Sequence, residues 1–423
     1  MTRAPVQPRD PLLWCAVIAL AFWVLLLWNL AVPHIDYFDE AHYLPAARHM
    51  LALDTFTNRE HPLFGKEMIA LGIALFGDNP WGWRLVPSIA GALTLFASMR
   101  ALWFASCSRY ATIAGGLLIA SGFHLFVASR IAMLDIFMLV SVAVAYWQLA
   151  AAMREPEHGR WRLAAAGFAL GLAMGAKWNA IPLAIVPGLA FLVLRWKAGR
   201  RRLLLSRRGM PVPGITLLEA GLWLGILPLV VYAATFAPAY YFAQYPITHG
   251  LLYHHQFMLE LQEQVKKHHP YQSRWEQWVL NTRAIWYLYE RVDGAQRGVV
   301  LVGNPLTMWL GLPALLWSAW QGAVLRRAAH GAAALLYAAS LGLWIVAPKP
   351  IQFYYHYTLP SFFLLASLAL TLDDVWRAGW RKTSAAVLAA SVGLFAFFFP
   401  ILSALPLAGP RSFELWIWLP GWR

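Results

Sequence analysis

The stretch Leu12-Leu-Trp-Cys-Ala-Val-Ile-Ala-Leu-Ala-Phe-Trp-Val-Leu-Leu-Leu-Trp-Asn-Leu-Ala-Val32 runs almost at once into Asp36-Tyr-Phe-Asp-Glu-Ala-His-Tyr43. Its first part is apolar and long enough to cross a bilayer, for which roughly 20 residues suffice. Its second part is crowded with chemistry, and His61-Pro-Leu-Phe-Gly-Lys66 follows soon after. Asp36, Asp39, Glu40, His42, His61 and Lys66 therefore stand just beyond a membrane exit. Neighbouring carboxylates held partly out of water raise each other's pKa, and a raised pKa is what a general base needs.

Working outward, the 423 residues are 60% hydrophobic and only 13% charged. A soluble protein carries roughly 25% charged residues, so this chain is solvated mainly by lipid. Its 23 tryptophans and 16 tyrosines suit many crossings of a membrane interface. The net charge of +14 fits basic cytoplasmic loops and anionic lipid, and nucleic acid is not expected as a partner. Cys15 and Cys107 give neither a disulfide framework nor a thiolate metal site. The first apolar segment is too long for a signal-peptide core and is read as an anchor.

Hydropathy predicts eleven spans, centred on 12–32, 84–104, 110–128, 133–152, 162–176, 180–196, 216–237, 299–320, 331–347, 353–372 and 384–403. Backbone polar groups in hydrocarbon must pair within their own segment, so the expected class is an all-α polytopic membrane protein. The reading is one transmembrane domain over 1–423 without a separate soluble domain. Two long loops, 33–83 and 238–298, lie on one side, and helical periodicity places short interfacial helices at 41–53 and 66–76. With the N-terminus inside, the inner loops hold nineteen basic residues, from Arg3 and Arg9 through Arg195, Arg200–Arg202 and Arg208 to Arg381 and Lys382. The short outer loops and tail hold five. That asymmetry puts the N-terminus in the cytoplasm and both long loops on the extracytoplasmic, periplasmic face of an inner (plasma) membrane.

At that face each outer hairpin contributes polar groups: Arg84, Arg130 with Asp135, Lys177, and Tyr354-Tyr-His-Tyr357. Charges in very short turns between apolar helices are functional hypotheses by default. Asp39 and Glu40 are the candidate base pair, and Arg84, Arg130 and Lys66 a cationic set suited to a phosphate. A lipid-linked phosphosugar fits such a place, because fixed cations stabilise the charge that grows on a leaving phosphate. His42, His61, His254, His255, His268, His269 and His356 fall on the same side without metal-ligand spacing. No metal site is assigned, no cofactor is indicated with certainty, and no glycine-rich nucleotide loop is visible.

Taken in order, these residues resemble the protein O-mannosyltransferases, a family of GT-C membrane glycosyltransferases that use a dolichyl- or polyprenyl-phosphate sugar. Phe38-Asp-Glu-Ala-His42 is similar to the family's Asp-Glu-x-His, and His61-Pro-Leu-Phe-Gly-Lys66 to its His-Pro-Pro-x-Gly-Lys. Trp83-Arg-Leu-Val-Pro-Ser88, Ser129-Arg-Ile-Ala-Met-Leu-Asp135 and Gly175-Ala-Lys-Trp178 continue the pattern. His269-Pro-Tyr-Gln-Ser-Arg-Trp275, Gly303-Asn-Pro305 and His356-Tyr-x-Leu-Pro360 complete it.

The resemblance implies a GT-C fold of about eleven helices and an inverting transfer of mannose from lipid phosphate to a serine or threonine hydroxyl. It places the catalytic aspartate at Asp39, with Glu40 orienting or assisting, and His42, His61, Asp135, Lys177, Trp178 and His356 around the substrate. The β-trefoil that eukaryotic members insert in the second long loop has no counterpart here. The acceptor is thus left open between exported protein and glycolipid, since transferases that attach aminoarabinose to lipid A share this architecture. A transporter would instead carry its site near the midplane between inverted repeats, and no half-chain symmetry is evident.

Overall fold

The computed structural model describes residues 9–198, 203–264, 269–347 and 349–423. Arg3, Arg200–Arg202 and His268, used in the charge and histidine readings above, lie outside them. Helix α1 (Leu12–Leu27) enters the bundle, followed by α2 (Glu40–Ala52), α3 (Phe64–Phe76), α4 (Pro80–Ser106), α5 (Arg109–Ala120), α6 (His124–Ala128), α7 (Leu134–Arg154) and α8 (Gly159–Ala176). Helix α9 (Ile181–Ala198) and a helix running from α10 (Leu217–Gly221) into α11 (Leu227–Ala234) complete the first half. The second half holds α12 (Gly250–Glu263), α13 (Trp275–Val279), the strands β1 (Ile285–Val292) and β2 (Ala295–Leu301), then α14 (Pro305–Ala323), α15 (Ala328–Val346), α16 (Thr358–Arg377) and α17 (Arg381–Leu402).

Among the described residues seven helices are long and apolar enough to span a membrane, and the chain is a multi-pass membrane protein. Helices α4, α7 and α8 pack in succession, α14, α15 and α16 form a second packed group, and α1 and α5 lie against α4. The two short helices expected at 41–53 and 66–76 are α2 and α3, which pack on each other, with α3 also against α4.

Three features depart from the sequence reading. Helix α1 stops at Leu27, five residues short of the expected 32, where an arginine from elsewhere in the fold caps the carbonyls of Leu26, Trp28 and Asn29. The 110–128 span is broken at Phe123, whose φ is +74°, so α5 and the short α6 replace one helix.

The third departure is a hairpin in a chain read as all-α. Strands β1 and β2 pair antiparallel from Ile285↔Leu301 to Val292↔Ala295, so the expected span at 299–320 begins as strand and turns helical only at Pro305. The connecting Asp293-Gly294 has φ of +51° and +75°, the geometry a two-residue hairpin turn requires. Register slips between Trp286 and Leu288, leaving Tyr287 as the unpaired residue of a bulge. Bulges re-aim side chains, and this one turns Tyr287 toward the loop that carries Asp39.

Candidate active site

Two buried arginines shape the loop between α1 and α2. Arg130 donates from Nη1 to the carbonyls of Leu26 (2.5 Å) and Trp28 (2.8 Å) and from Nη2 to that of Asn29 (3.0 Å). These are the orphan carbonyls of the α1 C-terminus, so Arg130 works as a helix cap from a distant segment. Arg84 on α4 donates to the carbonyls of Leu30, Pro33 and Ile35, and grips Glu40 through Nε (2.9 Å) and Nη2 (2.8 Å). Glu40 also accepts the N–H groups of Tyr37 and Ala132, and both it and Arg84 are 0% exposed.

This arrangement corrects three expectations. Arg84 makes five hydrogen bonds to protein acceptors and Arg130 three, so the donors expected to meet a phosphate are largely spent within the fold. Glu40 does not face a substrate: four donors saturate its carboxylate, and its work is to pin the loop that carries its neighbour. Removing one partner of such a buried pair leaves an uncompensated charge, at a cost of about 3–5 kcal/mol.

Asp39 emerges on the other side of that anchor, at the N-cap of α2, half-buried and without a cap hydrogen bond. Phe38 before it sits at φ +53°, a left-handed conformation unfavourable for a bulky side chain. Stacking holds it there: the Phe38 ring lies 4.0 Å from that of Tyr287 at 17°, with Tyr355 edge-on at 6.1 Å. Burial pushes the Asp39 carboxyl up to about 6, Lys177 draws it down, and Asp135 pushes it up again. At neutral pH such a group is ionised yet basic enough to take a proton.

Asp135, in the first turn of α7, and Lys177, just past α8, form a buried ion pair with Nζ–O distances of 2.7 and 2.9 Å. The same ammonium lies 4.7 Å from the centre of the Tyr355 ring. Lys66 on α3 donates to the carbonyls of Asn58 (2.6 Å) and His61 (3.0 Å), so it too is turned inward, away from the expected phosphate. Burial lowers its ammonium to about 7. His61 stands edge-on to Tyr43, 6.0 Å between ring centres, and burial with the field of Lys177 keeps it neutral. His42 is exposed on α2, one turn from Asp39. His356 is packed 3.7 Å from Trp344 and 5.8 Å from Trp278. Trp178 donates to Tyr232, whose hydroxyl meets His255 at 2.5 Å, so it sits in an aromatic cluster of its own.

Asp39, Asp135, Lys177, His42 and His61 are thus brought within one electrostatic neighbourhood, while Glu40, Arg84, Arg130 and Lys66 form the frame behind it. The sequence reading missed Tyr287 and Lys349. The hairpin that carries Tyr287 was signalled by Asp-Gly between two apolar runs, and Lys349 by its place ahead of Tyr354-Tyr-His-Tyr357. Among the described residues, no group of three or more His, Cys, Asp or Glu is gathered as metal ligands.

Inside the bundle a cavity of about 340 Å³ runs between α7, α9, α15 and α16. Leu139, Tyr146, Val186, Phe191, Leu336 and Phe363 are among the residues that line it, so it is almost wholly apolar. Leu359, a further lining residue, lies just after the turn Tyr354–Tyr357 that carries Tyr355 and His356.

Residues 60–218 match the family model for dolichyl-phosphate-mannose-protein mannosyltransferase. Residues 247–422 match the one for the C-terminal four-transmembrane region of protein O-mannosyltransferase. A polyprenol-phosphate-mannose–protein mannosyltransferase of Mycobacterium tuberculosis is 29% identical, over 91% of this chain and 86% of that protein. The Saccharomyces cerevisiae protein O-mannosyltransferase Pmt1–Pmt2 complex, solved with its sugar donor, shares the fold at a TM-score of 0.82 and 14% identity, covering 100% of this chain and 96% of that one. ArnT of Cupriavidus metallidurans, solved with undecaprenyl phosphate, aligns at a TM-score of 0.57 and 18% identity, over 89% and 63% of the two chains.

Proposed function

This chain belongs to the protein O-mannosyltransferase family, and from that premise we propose that it moves mannose from a polyprenyl-phosphate carrier to serine or threonine hydroxyls of proteins. The observation that carries the mechanism is Asp39: a half-buried carboxyl raised to about 6, held by a saturated Glu40–Arg84 anchor beside the Asp135–Lys177 pair. Asp39 takes the proton of the acceptor hydroxyl as its oxygen attacks the anomeric carbon of the sugar. The bond from that carbon to the phosphate oxygen breaks, and its electron pair leaves with the phosphate. One displacement on the face opposite the leaving group inverts the sugar and needs no covalent enzyme intermediate.

The apolar cavity offers the polyprenyl tail a place inside the bundle, ending near the Tyr354–Tyr357 turn. Lys177, Tyr355 and His61 border the sugar, with Asp135 fixing Lys177, while His42, His356 and Trp178 shape the pocket's edge. The whole described chain acts as one transmembrane domain with its site on the extracytoplasmic face of the plasma membrane and its N-terminus in the cytoplasm. The excess of basic residues at the opposite end supports that orientation.

Purified protein in lipid nanodiscs, given polyprenyl phosphate carrying labelled mannose and an unfolded serine- and threonine-rich polypeptide, should place label in the polypeptide. Label in glycolipid with none in polypeptide would overturn the proposal.

A further inference from the structure

A departing phosphate needs a cation, and the three residues expected to supply it face inward. Five cations approach the Asp39 site: Lys66, Arg84, Arg130, Lys177 and Lys349. Protein carbonyls hold Lys66 and Arg130, carbonyls and Glu40 hold Arg84, and Asp135 holds Lys177. Lys349 differs. It is half-buried, and among the described residues its ammonium makes no hydrogen bond or ion pair.

Its place is defined from both sides. The Gln352 carbonyl, three residues on, accepts the Ser273 N–H at 2.8 Å, and the Gln352 side chain donates to the Trp344 carbonyl at 3.2 Å. The Phe353 N–H donates to His356 at 3.0 Å and sets the turn that carries Tyr355. The charge of Lys349 bears on Asp39 and His61, which puts it in the neighbourhood of the proposed base. Leu359 lines the apolar cavity just beyond that turn, so a tail lying there would end near the Lys349 segment. A half-buried cation with no partner is costly unless an anion joins it.

We propose that Lys349 binds the phosphate of the polyprenyl carrier, gripping its non-bridging oxygens and stabilising the charge that develops as the sugar leaves. This rests on the carrier reading above. Lys177 then serves the sugar side, already neutralised by Asp135, and Lys349, without a protein partner among the described residues, goes to the developing anion.

The test is the affinity of the full chain in nanodiscs for undecaprenyl phosphate and for uncharged undecaprenol. Lys349→Gln should weaken phosphate binding by about 10- to 100-fold, the range of one charge-assisted contact, and leave undecaprenol binding unchanged. Lys349→Arg should restore most of it. Burial lowers the Lys349 ammonium to about 8, so wild-type affinity for the phosphate should fall as pH rises past that value. The Lys349→Arg protein should not show that fall. If Lys349→Gln binds the phosphate as tightly as wild type, Lys349 is not its ligand and the function stands. Wild-type protein that does not distinguish phosphate from alcohol would overturn the carrier reading and this inference together.

Discussion

Asp39 and Glu40 are adjacent in the chain and should fail in different ways when changed. Asp39→Asn removes the proposed base, whose carboxyl makes no structural hydrogen bond, so the folded protein should melt as wild type does while transfer falls about 10²- to 10⁴-fold. Glu40→Gln breaks the pair with Arg84 in a site 0% exposed and should cost about 3–5 kcal/mol of stability. Thermal unfolding of the two variants, beside mannose transfer and binding of the donor, separates the roles; an unaltered Asp39→Asn transferase would remove that residue from the mechanism. The pH profile gives an independent reading. Below about 6 Asp39 carries a proton and cannot accept another, so kcat/KM should fall tenfold per pH unit there and level off above. The carboxylate pair itself was legible as a motif beyond a membrane exit. Its division of labour was not, because the partner that claims Glu40 lies 44 positions away, and local sequence does not show which of two neighbours will face it.

At the scale of elements, hydropathy located helices well because lipid leaves the backbone no other way to pair. It located the hairpin badly. Gly298-Val-Val-Leu301 reads as the start of an apolar helix unless Asp293-Gly294 is weighed as a turn, and the bulge that aims Tyr287 has no sequence signature at all. Helix packing left a signal that composition hides: Gly167, Gly171 and Gly175 recur every four residues along one face of α8. A methyl at Gly167 would come within 1.8 Å of the Trp223 carbonyl, and one at Gly171 within 2.6 Å of that of Pro228. Small residues let helices in lipid approach closely enough for backbone contact. Gly167→Ala should therefore destabilise the bundle by about 1–3 kcal/mol through overpacking. Gly221→Ala, also in a helix but with nothing within 4 Å of its new methyl, should be neutral or gain up to about 1 kcal/mol. Melting curves of both variants in one detergent check the pair, and equal losses would mean the glycine face is not a contact.

For the whole molecule, the two ends differ in ways that make orientation testable. Exposed Trp161, Trp196 and Trp380 stand beside Arg160, Arg195 and Arg381 at one end. Exposed Trp28, Trp81 and Trp309 lie at the other, next to the loops of the proposed site. Two aromatic girdles are what a bundle with two interfaces shows, and the basic end is the one a cytoplasm retains. Cysteine labelling can decide which end is out once Cys107, the less buried of the two native cysteines, is replaced by serine. Asp36→Cys lies in the exposed part of the Asp39 loop and Glu157→Cys in the exposed turn after α7. A membrane-impermeant maleimide added to intact spheroplasts should label the first and spare the second until the membrane is opened. The reverse pattern would put Asp39 in the cytosol, where a base serving exported polypeptide has no substrate, and the proposed direction of transfer would fall with it.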